Sequence, residues 1–316
     1  MSESPFEILK RTRNESFKRI LWHLGELDKK ETNSRIDAFV QKSLRKSRKF
    51  RDAEKLKECR RGAYCGSIYC AECRNRMASK LLRRVRLHIS TQKMDEVSCR
   101  ERLRWVTVLH SLEHADVEKV KEATKRARAD YVQLNRKFSS SWAQGAFEYE
   151  LVDMVKVSSR VNKNSSGSRK KNTLKTLGGD NTTLDKSDWS WTDKSGNRRA
   201  DYILVHTHFL MDCGDEDWTE IEKDMRRRWD KKYQVRVDGL TNFSTRSLDD
   251  SLWKMSSYCF KNRCSHHYEF GGYDIDEFEV NENMFSVNEF ITVYQTYKTM
   301  AGLRNTGLLL SWQMKH

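Results

Sequence analysis

Residues 202–211 read YILVHTHFLM, the most strand-like run in the chain. Successive side chains of a strand point to opposite faces. Leu204, His206, His208 and Leu210 therefore share one face, and Ile203, Val205, Thr207, Phe209 and Met211 share the other. A second run, GAFEYELVDMVKV at 145–157, alternates in the same way. It sets Glu148 and Glu150 on one face, opposite Phe147, Tyr149 and Leu151. A third, Trp105–His110 (WVTVLH), is rich in β-branched residues, and Val235–Val237 reads as a short strand. Helical periodicity is expected over 115–138, Asp215–Tyr233, Ser247–Asn262 and Asn288–Met300. The strands do not alternate regularly with helices. That pattern predicts an α+β fold, an antiparallel sheet with flanking helices, and not a doubly wound parallel sheet.

The rest of the chain bounds the function. It has 316 residues, 60 Lys+Arg against 45 Asp+Glu, a net charge of +15 and a pI near 9.4. Such a surface suits a polyanion, nucleic acid first. No apolar run reaches the ~18 residues of a membrane span. The first residues, MSESPFEILKRTRNESFKR, hold no apolar segment of signal-peptide type, so a cytoplasmic protein is expected. Eight cysteines without a signal suit thiols or metal ligands, not a disulfide scaffold. Three regions are expected: a basic helical segment at 1–58, a cysteine-rich zinc-binding module at 59–100 and a domain at 101–310. In the first, Ile20, Leu21, Leu24 and Leu27 have helical spacing. The third carries a polar, Gly- and Ser-rich insertion at 158–200, read as a long exposed excursion.

Cys59, Cys65, Cys70 and Cys73 have the spacing C-x5-C-x4-C-x2-C. Four thiolates suit tetrahedral Zn(II) in a structural role, and four buried free thiols are the alternative. Arg60, Arg61, Arg74 and Arg76 flank the cluster, where they offset thiolate charge and are candidates for phosphate contact. Cys99, Cys213, Cys259 and Cys264 lack such grouping and read as free thiols.

Two imidazoles side by side on a strand face can hold one metal ion and leave positions open for substrate. A carboxylate from a neighbouring strand, Glu150 or Glu148, would complete the set. Two histidines and one carboxylate suit Mn(II) or Mg(II) with phosphate and water. The helix opening at Ser247-Leu-Asp-Asp250 has a capping-box start. Leu248, Leu252, Met255 and Cys259 form its apolar stripe. Tyr258 falls at the edge of the stripe, with Lys254 and Lys261 just beyond on the same side. A tyrosine beside lysines suits nucleophilic attack on phosphate.

His206-Thr-His208 resembles the paired-histidine strand of the HUH endonucleases. The helix with Tyr258 and Lys261 resembles their tyrosine motif, Trp105–Leu109 their first strand motif, and Gly145–Glu150 the strand that supplies their acidic ligand. Within that class, Cys65–Arg76 is similar to the cysteine cluster of plasmid rolling-circle replication initiators, and Met300–Gly307, with Arg304, is similar to their tail. The resemblance implies origin single-stranded and hairpin DNA as substrate, and Mn(II) or Mg(II) on His206, His208 and Glu150 (or Glu148). It implies structural zinc on the four cysteines and, in the tail, Arg304 against DNA; Arg74, Arg76 and Lys254 are the further candidate DNA contacts, from their charge beside the cluster and the tyrosine. Tyr258 would attack the scissile phosphate to give a 5′-phosphotyrosine link, with Lys261 holding the phosphate. The free 3′-hydroxyl would then prime a host polymerase working with a helicase. Three positions depart from the pattern. Thr207 stands at a position usually hydrophobic, Ala71 where proline is common, and Lys254 where many initiators carry a glutamate. An HUH-class transposase, a non-catalytic zinc-containing DNA-binding protein and a metal-dependent hydrolase without a covalent step remain the alternatives.

Overall fold

A computed structural model describes residues 36–59, 63–152, 173–174, 176–177, 202–240, 247–260, 285–301 and 308–312. The chain divides into two compact units, Met1–Lys57 and Glu58–His316. In the first, residues 36–46 and Phe50–Lys57 are helical. Ile36, Val40, Leu44 and Ala53 are buried there, Gln41 Nε2 donates to the Ala53 carbonyl, and Arg45 pairs with Glu54.

The second unit holds both the cysteine segment and the sheet. Its elements are α1 (Ala71–Thr91), α2 (Glu96–Arg102), β1 (Leu103–His114), α3 (Val117–Lys137), β2 (Trp142–Val152) and β3 (Tyr202–Asp212). They continue with α4 (Trp218–Arg228), β4 (Val235–Gly239), α5 (Leu248–Tyr258), α6 (Val287–Ala301) and β5 (Leu309–Trp312). Every strand pair is antiparallel, in the order β4-β1-β3-β2-β5. The α+β expectation holds. β1 and β2 both run antiparallel to β3, so they are parallel to each other, with α3 crossing between them and β3 slotted in the middle.

Short polar caps set the helix limits. Asp116, Asp217 and Ser247 accept hydrogen bonds from the first free N–H groups of α3, α4 and α5. The expected 215–233 helix is therefore shorter, starting after Asp217 and ending at Arg228. The tyrosine helix ends at Tyr258 and not at residue 262. Leu309–Trp312, a stretch too short for a period to show, supplies β5 by pairing with Ala143–Ala146 of β2. The 158–200 insertion, expected to be exposed, contributes at least one core residue: Leu174 is fully buried beside Leu109, Leu112, Val152 and Leu204.

Both sheet faces are covered. On one, Trp105, Ala146 and Leu210 meet Leu81, Leu82 and Val85 of α1 and Leu252 and Met255 of α5. On the other, Tyr131 of α3 packs edge-on against Phe147 and Phe209. Past the end of β5, the Tyr149 N–H of β2 donates to the Tyr297 hydroxyl of α6 at 2.9 Å, so the strand edge is satisfied by a side chain. Among the described residues, no helix is long and apolar enough to cross a membrane.

The end of β3 is fixed by a buried carboxylate. Asp212 is fully buried and accepts from Arg102 Nε (3.1 Å) and Nη2 (2.9 Å), from the Gly214 N–H (3.0 Å) and bonds His88 Nε2 (2.8 Å). His88 in turn stacks flat on Trp142, with ring centroids 4.1 Å apart. Burial raises the Asp212 carboxyl, but the His88 bond, the Gly214 N–H and the Arg102 charge outweigh it and hold it below its ordinary value. Asp212→Ala leaves Arg102 and His88 without their acceptor and is expected to cost about 3–5 kcal/mol in urea unfolding. A depressed folded value stabilises above the unfolded value of ~3.9. The difference between wild type and variant should be complete at pH 7 and shrink as pH falls through the folded value. A difference that stays constant down to pH 2 would refute the assignment.

Candidate functional site

β2 and β3 bring the two histidines and one glutamate together by register alone. Glu148 lies directly across from His206, and Ala146 across from His208. Directly opposed residues of an antiparallel pair point to the same face. Glu148 Oε2 stands 3.4 Å from His206 Nε2 and 3.2 Å from His208 Nε2, and the three ligand atoms lie within 4.8 Å of one another. Ligands bound at ~2.1 Å to one ion, with angles between 90° and tetrahedral, stand about 3.0–3.4 Å apart. All three side chains are buried, and His206 Nε2 makes no hydrogen bond among the described residues. Burying a carboxylate against two imidazoles is costly unless they share a proton or a cation. The set fits a divalent metal ion.

Glu150, the first-named acidic ligand, is not in this group. It faces Leu204, one pairing step further along β2. The same alternation that puts both glutamates on one face separates them by about 7 Å along the strand, and only Glu148 is level with a histidine.

Thr107 is a site residue that the sequence did not announce. It pairs with His208 across β1 and β3, and its Oγ1 lies 2.9 Å from His208 Nδ1. That bond fixes the ring and leaves Nε2 turned toward Glu148, the arrangement that metal-binding imidazoles need on their far nitrogen. Trp105 lies parallel to the His208 ring at 5.8 Å, and Tyr258 stands edge-on to it at 4.8 Å. The Cys259 thiol, raised by burial and then by the Glu148 charge, keeps its proton and donates to the His208 carbonyl at 3.4 Å. This ties the last turn of α5 to the histidine strand, and so carries Tyr258 to the triad.

The reverse face of β3 is polar at one point. Thr207 Oγ1 bonds the Tyr131 hydroxyl and lies 3.1 Å from His110 Nε2. Burial first, and then the charge of His206, push His110 down to about 3, so it stays neutral. His110 sits where β1 and β3 slip register between Leu109 and Ser111. Gln234 Nε2 brackets that irregularity by donating to the Leu109 carbonyl at 2.8 Å.

The cysteine cluster forms a second group. The Sγ atoms of Cys59, Cys65, Cys70 and Cys73 lie within 4.8 Å of one another. Cys73 Sγ is 3.5 Å from Cys59 Sγ and 3.6 Å from Cys65 Sγ, near the edge of about 3.8 Å that a tetrahedron with metal–sulfur bonds of ~2.3 Å requires. The Cys65 N–H donates to Cys59 Sγ and the Gly66 N–H to Cys73 Sγ. Gly66 has φ 75°, a backbone conformation that a side chain would strain. Cys70 is pushed down to about 5, chiefly by the Cys65 thiol donating to it, and the same bond pushes Cys65 up. The cluster fits a metal held by four thiolates. Arg74 donates to the Ile68 carbonyl and Arg76 covers the Tyr64 ring at 4.0 Å, so both brace this loop. Lys254 is half-buried on α5. Lys261, Arg304 and Cys264 lie outside the described residues.

Two measurements test the ligand sets. Glu148→Gln is expected to weaken Mn(II) binding at least 10-fold in calorimetry, and Glu150→Gln to leave it within 2-fold; the reverse order would reassign the carboxylate. Cys73→Ser is expected to remove one equivalent of tightly held metal by elemental analysis and to lower the unfolding midpoint, because metal binding at such a site adds directly to folding stability. Equal metal content in both proteins would leave four unliganded thiols. No family model, no curated protein and no solved structure matches the chain.

Proposed function

We propose that the chain is a DNA strand-nicking and strand-joining enzyme of the HUH type. In this reading it works as a rolling-circle replication initiator, with Tyr258 as nucleophile. The observation that carries the proposal is the approach of Tyr258 to His208, beside the Glu148–His206–His208 group. A tyrosine packed only for structure has no need of a buried set of three metal-type ligands next to it.

A divalent cation held by Glu148, His206 and His208 would polarise the scissile phosphate and stabilise its charge in the transition state. Tyr258 loses its phenolic proton and attacks phosphorus in line. The P–O3′ bond breaks as the Tyr–O–P bond forms, and the leaving 3′-oxygen takes up a proton. One phosphodiester becomes another, so the 3′-hydroxyl can attack the phosphotyrosine and rejoin strands without a nucleotide cofactor. Thr107 holds the His208 ring with Nε2 facing Glu148. Trp105 and the apolar cluster around it limit water on that side. Lys254, one helical turn before Tyr258, adds positive charge to the phosphate approach. Zinc is the metal proposed for the four cysteines, where it locks the loop that starts α1. A transposase of the same class would use the same residues in the same roles.

The test is a denaturing gel of single-stranded oligonucleotides, drawn from the DNA that encodes and flanks the chain, incubated with protein and Mn(II). Wild type is expected to give a covalent protein–DNA band. Tyr258→Phe should abolish both band and cleavage, and His206→Ala should lower cleavage by at least 100-fold. Cleavage that survives Tyr258→Phe without a covalent band would instead establish hydrolysis by a metal-bound water.

A further inference from the structure

The cations of α1 are distributed differently from those on the other face of the sheet. On α3 and α4 acids are interleaved with the basic residues, and several of the basic residues are paired with them. Lys121 meets Glu118 and Arg126 meets Glu113. Lys223 meets Glu220, Arg226 meets Glu222, and Arg227 and Arg228 share Asp224. α1 carries Arg74, Arg76, Lys80, Arg83, Arg84 and Arg86 against the single acid Glu72. Among the described residues, the Lys and Arg side chains of α1 make one ion pair, Arg86 with Asp249 at the start of the tyrosine helix.

At 100° per residue, positions 76, 80, 83 and 87 fall within about 60° of one another. They form one line opposite the buried Leu81, Leu82 and Val85. Arg76, Lys80, Arg83 and Leu87 are all exposed. Lys80 and Arg83 make no ion pair or hydrogen bond among the described residues. From Arg76 to Arg83 the charged part of the line runs about 10 Å, close to three base-pair rises of 3.4 Å along one strand. The helix is stiffly mounted. Cys70 stands at its N-cap and Cys73 in its first turn, both in the thiol cluster, and its inner face is packed against the sheet and α5.

We infer that the outer face of α1 is a binding surface for the phosphate backbone of duplex DNA. Insertion of α1 into a lipid interface is ruled out, because an interfacial helix must bury its apolar face in lipid, and here that face is already in the core. A single-stranded track needs aromatic side chains for bases to stack on, and the line carries none. What it offers is positive charge on a straight, rigid rod, which suits backbone contact with a duplex. The surface lies on the same side of the sheet as the triad, so a duplex held there would lie beside Tyr258's helix. The inference does not depend on strand nicking.

The test is fluorescence anisotropy of the full chain with a labelled random-sequence duplex of 20 base pairs, and with poly(dT) of the same length, at several salt concentrations. Each phosphate contact contributes about 0.9 to the slope of log affinity against log salt. Lys80→Gln with Arg83→Gln should lower the duplex slope by about 1.8. The affinity lost between 50 and 200 mM salt should then be about 12-fold smaller than in wild type. Lys119→Gln with Lys125→Gln, exposed on α3, removes the same charge from the opposite face and should leave the slope unchanged. An unchanged slope in the α1 variant, an equal fall in the α3 variant, or a fall confined to poly(dT) would each overturn the assignment. Loss of nicking in Tyr258→Phe has no bearing on it, so the two proposals fail separately.

Discussion

The register between β2 and β3 is the constraint on which the site depends. Glu148 is level with His206 only because Gly145 is level with Phe209 three residues earlier. A Cβ at Gly145 would collide with the His208 carbonyl oxygen and with the Phe209 side chain. The two backbones therefore approach at a point where only glycine fits. A slip of one residue would turn Phe147 or Tyr149 toward the histidines and put the glutamates in the aromatic layer beneath α3. The hydrophobic pattern forbids that slip on both faces at once, and so the metal-type ligands inherit their geometry from core packing.

The sheet handles this buried charge by dividing its face. Trp105, Ala146 and Leu210 lie in one apolar cluster, Leu109 and Leu204 in another, and the triad lies in the gap between them. The reverse face of the same strand places a second polar group, Thr207, against His110 and Tyr131. A polar knot behind a metal-type site is expensive in an otherwise apolar layer, unless each member has a partner. Here the Thr207 and Tyr131 hydroxyls and His110 Nε2 satisfy one another, while His110 Nδ1 has no partner among the described residues; the group fixes the pleat of β3 from behind while Thr107 fixes His208 from the side.

Much of this was legible in the chain. Alternation in 202–211 and in 145–157 identifies the two central strands, the histidine face and the glutamate face. Alternation carries no information on which residues of neighbouring strands are level, and that is why Glu150 could not be separated from Glu148 until the pairing was known. Thr107 was unreadable for the same reason: it is an ordinary strand threonine until β1 is seated beside β3. β5 escaped notice because a four-residue strand lacks the length for a period to show. Leu174 was hidden in a polar stretch, since a single leucine can be claimed by the core without altering its neighbourhood's composition.

The cysteine cluster and the triad are linked by one chain of packed elements. Cys70 stands at the N-cap of α1, whose inner face meets Leu252 and Met255 of α5, and Arg86 clasps Asp249 at the opposite end of that helix from Tyr258. At the other end, Cys259 holds the turn to His208. The tyrosine helix is thus held at both ends, once by a helix whose own start is set by four thiols and once by the histidine strand. Loosening the thiol cluster frees the first turn of α1, and the support of α5 weakens with it. A metal bound at the four thiols would in this way govern how firmly Tyr258 is held beside His208.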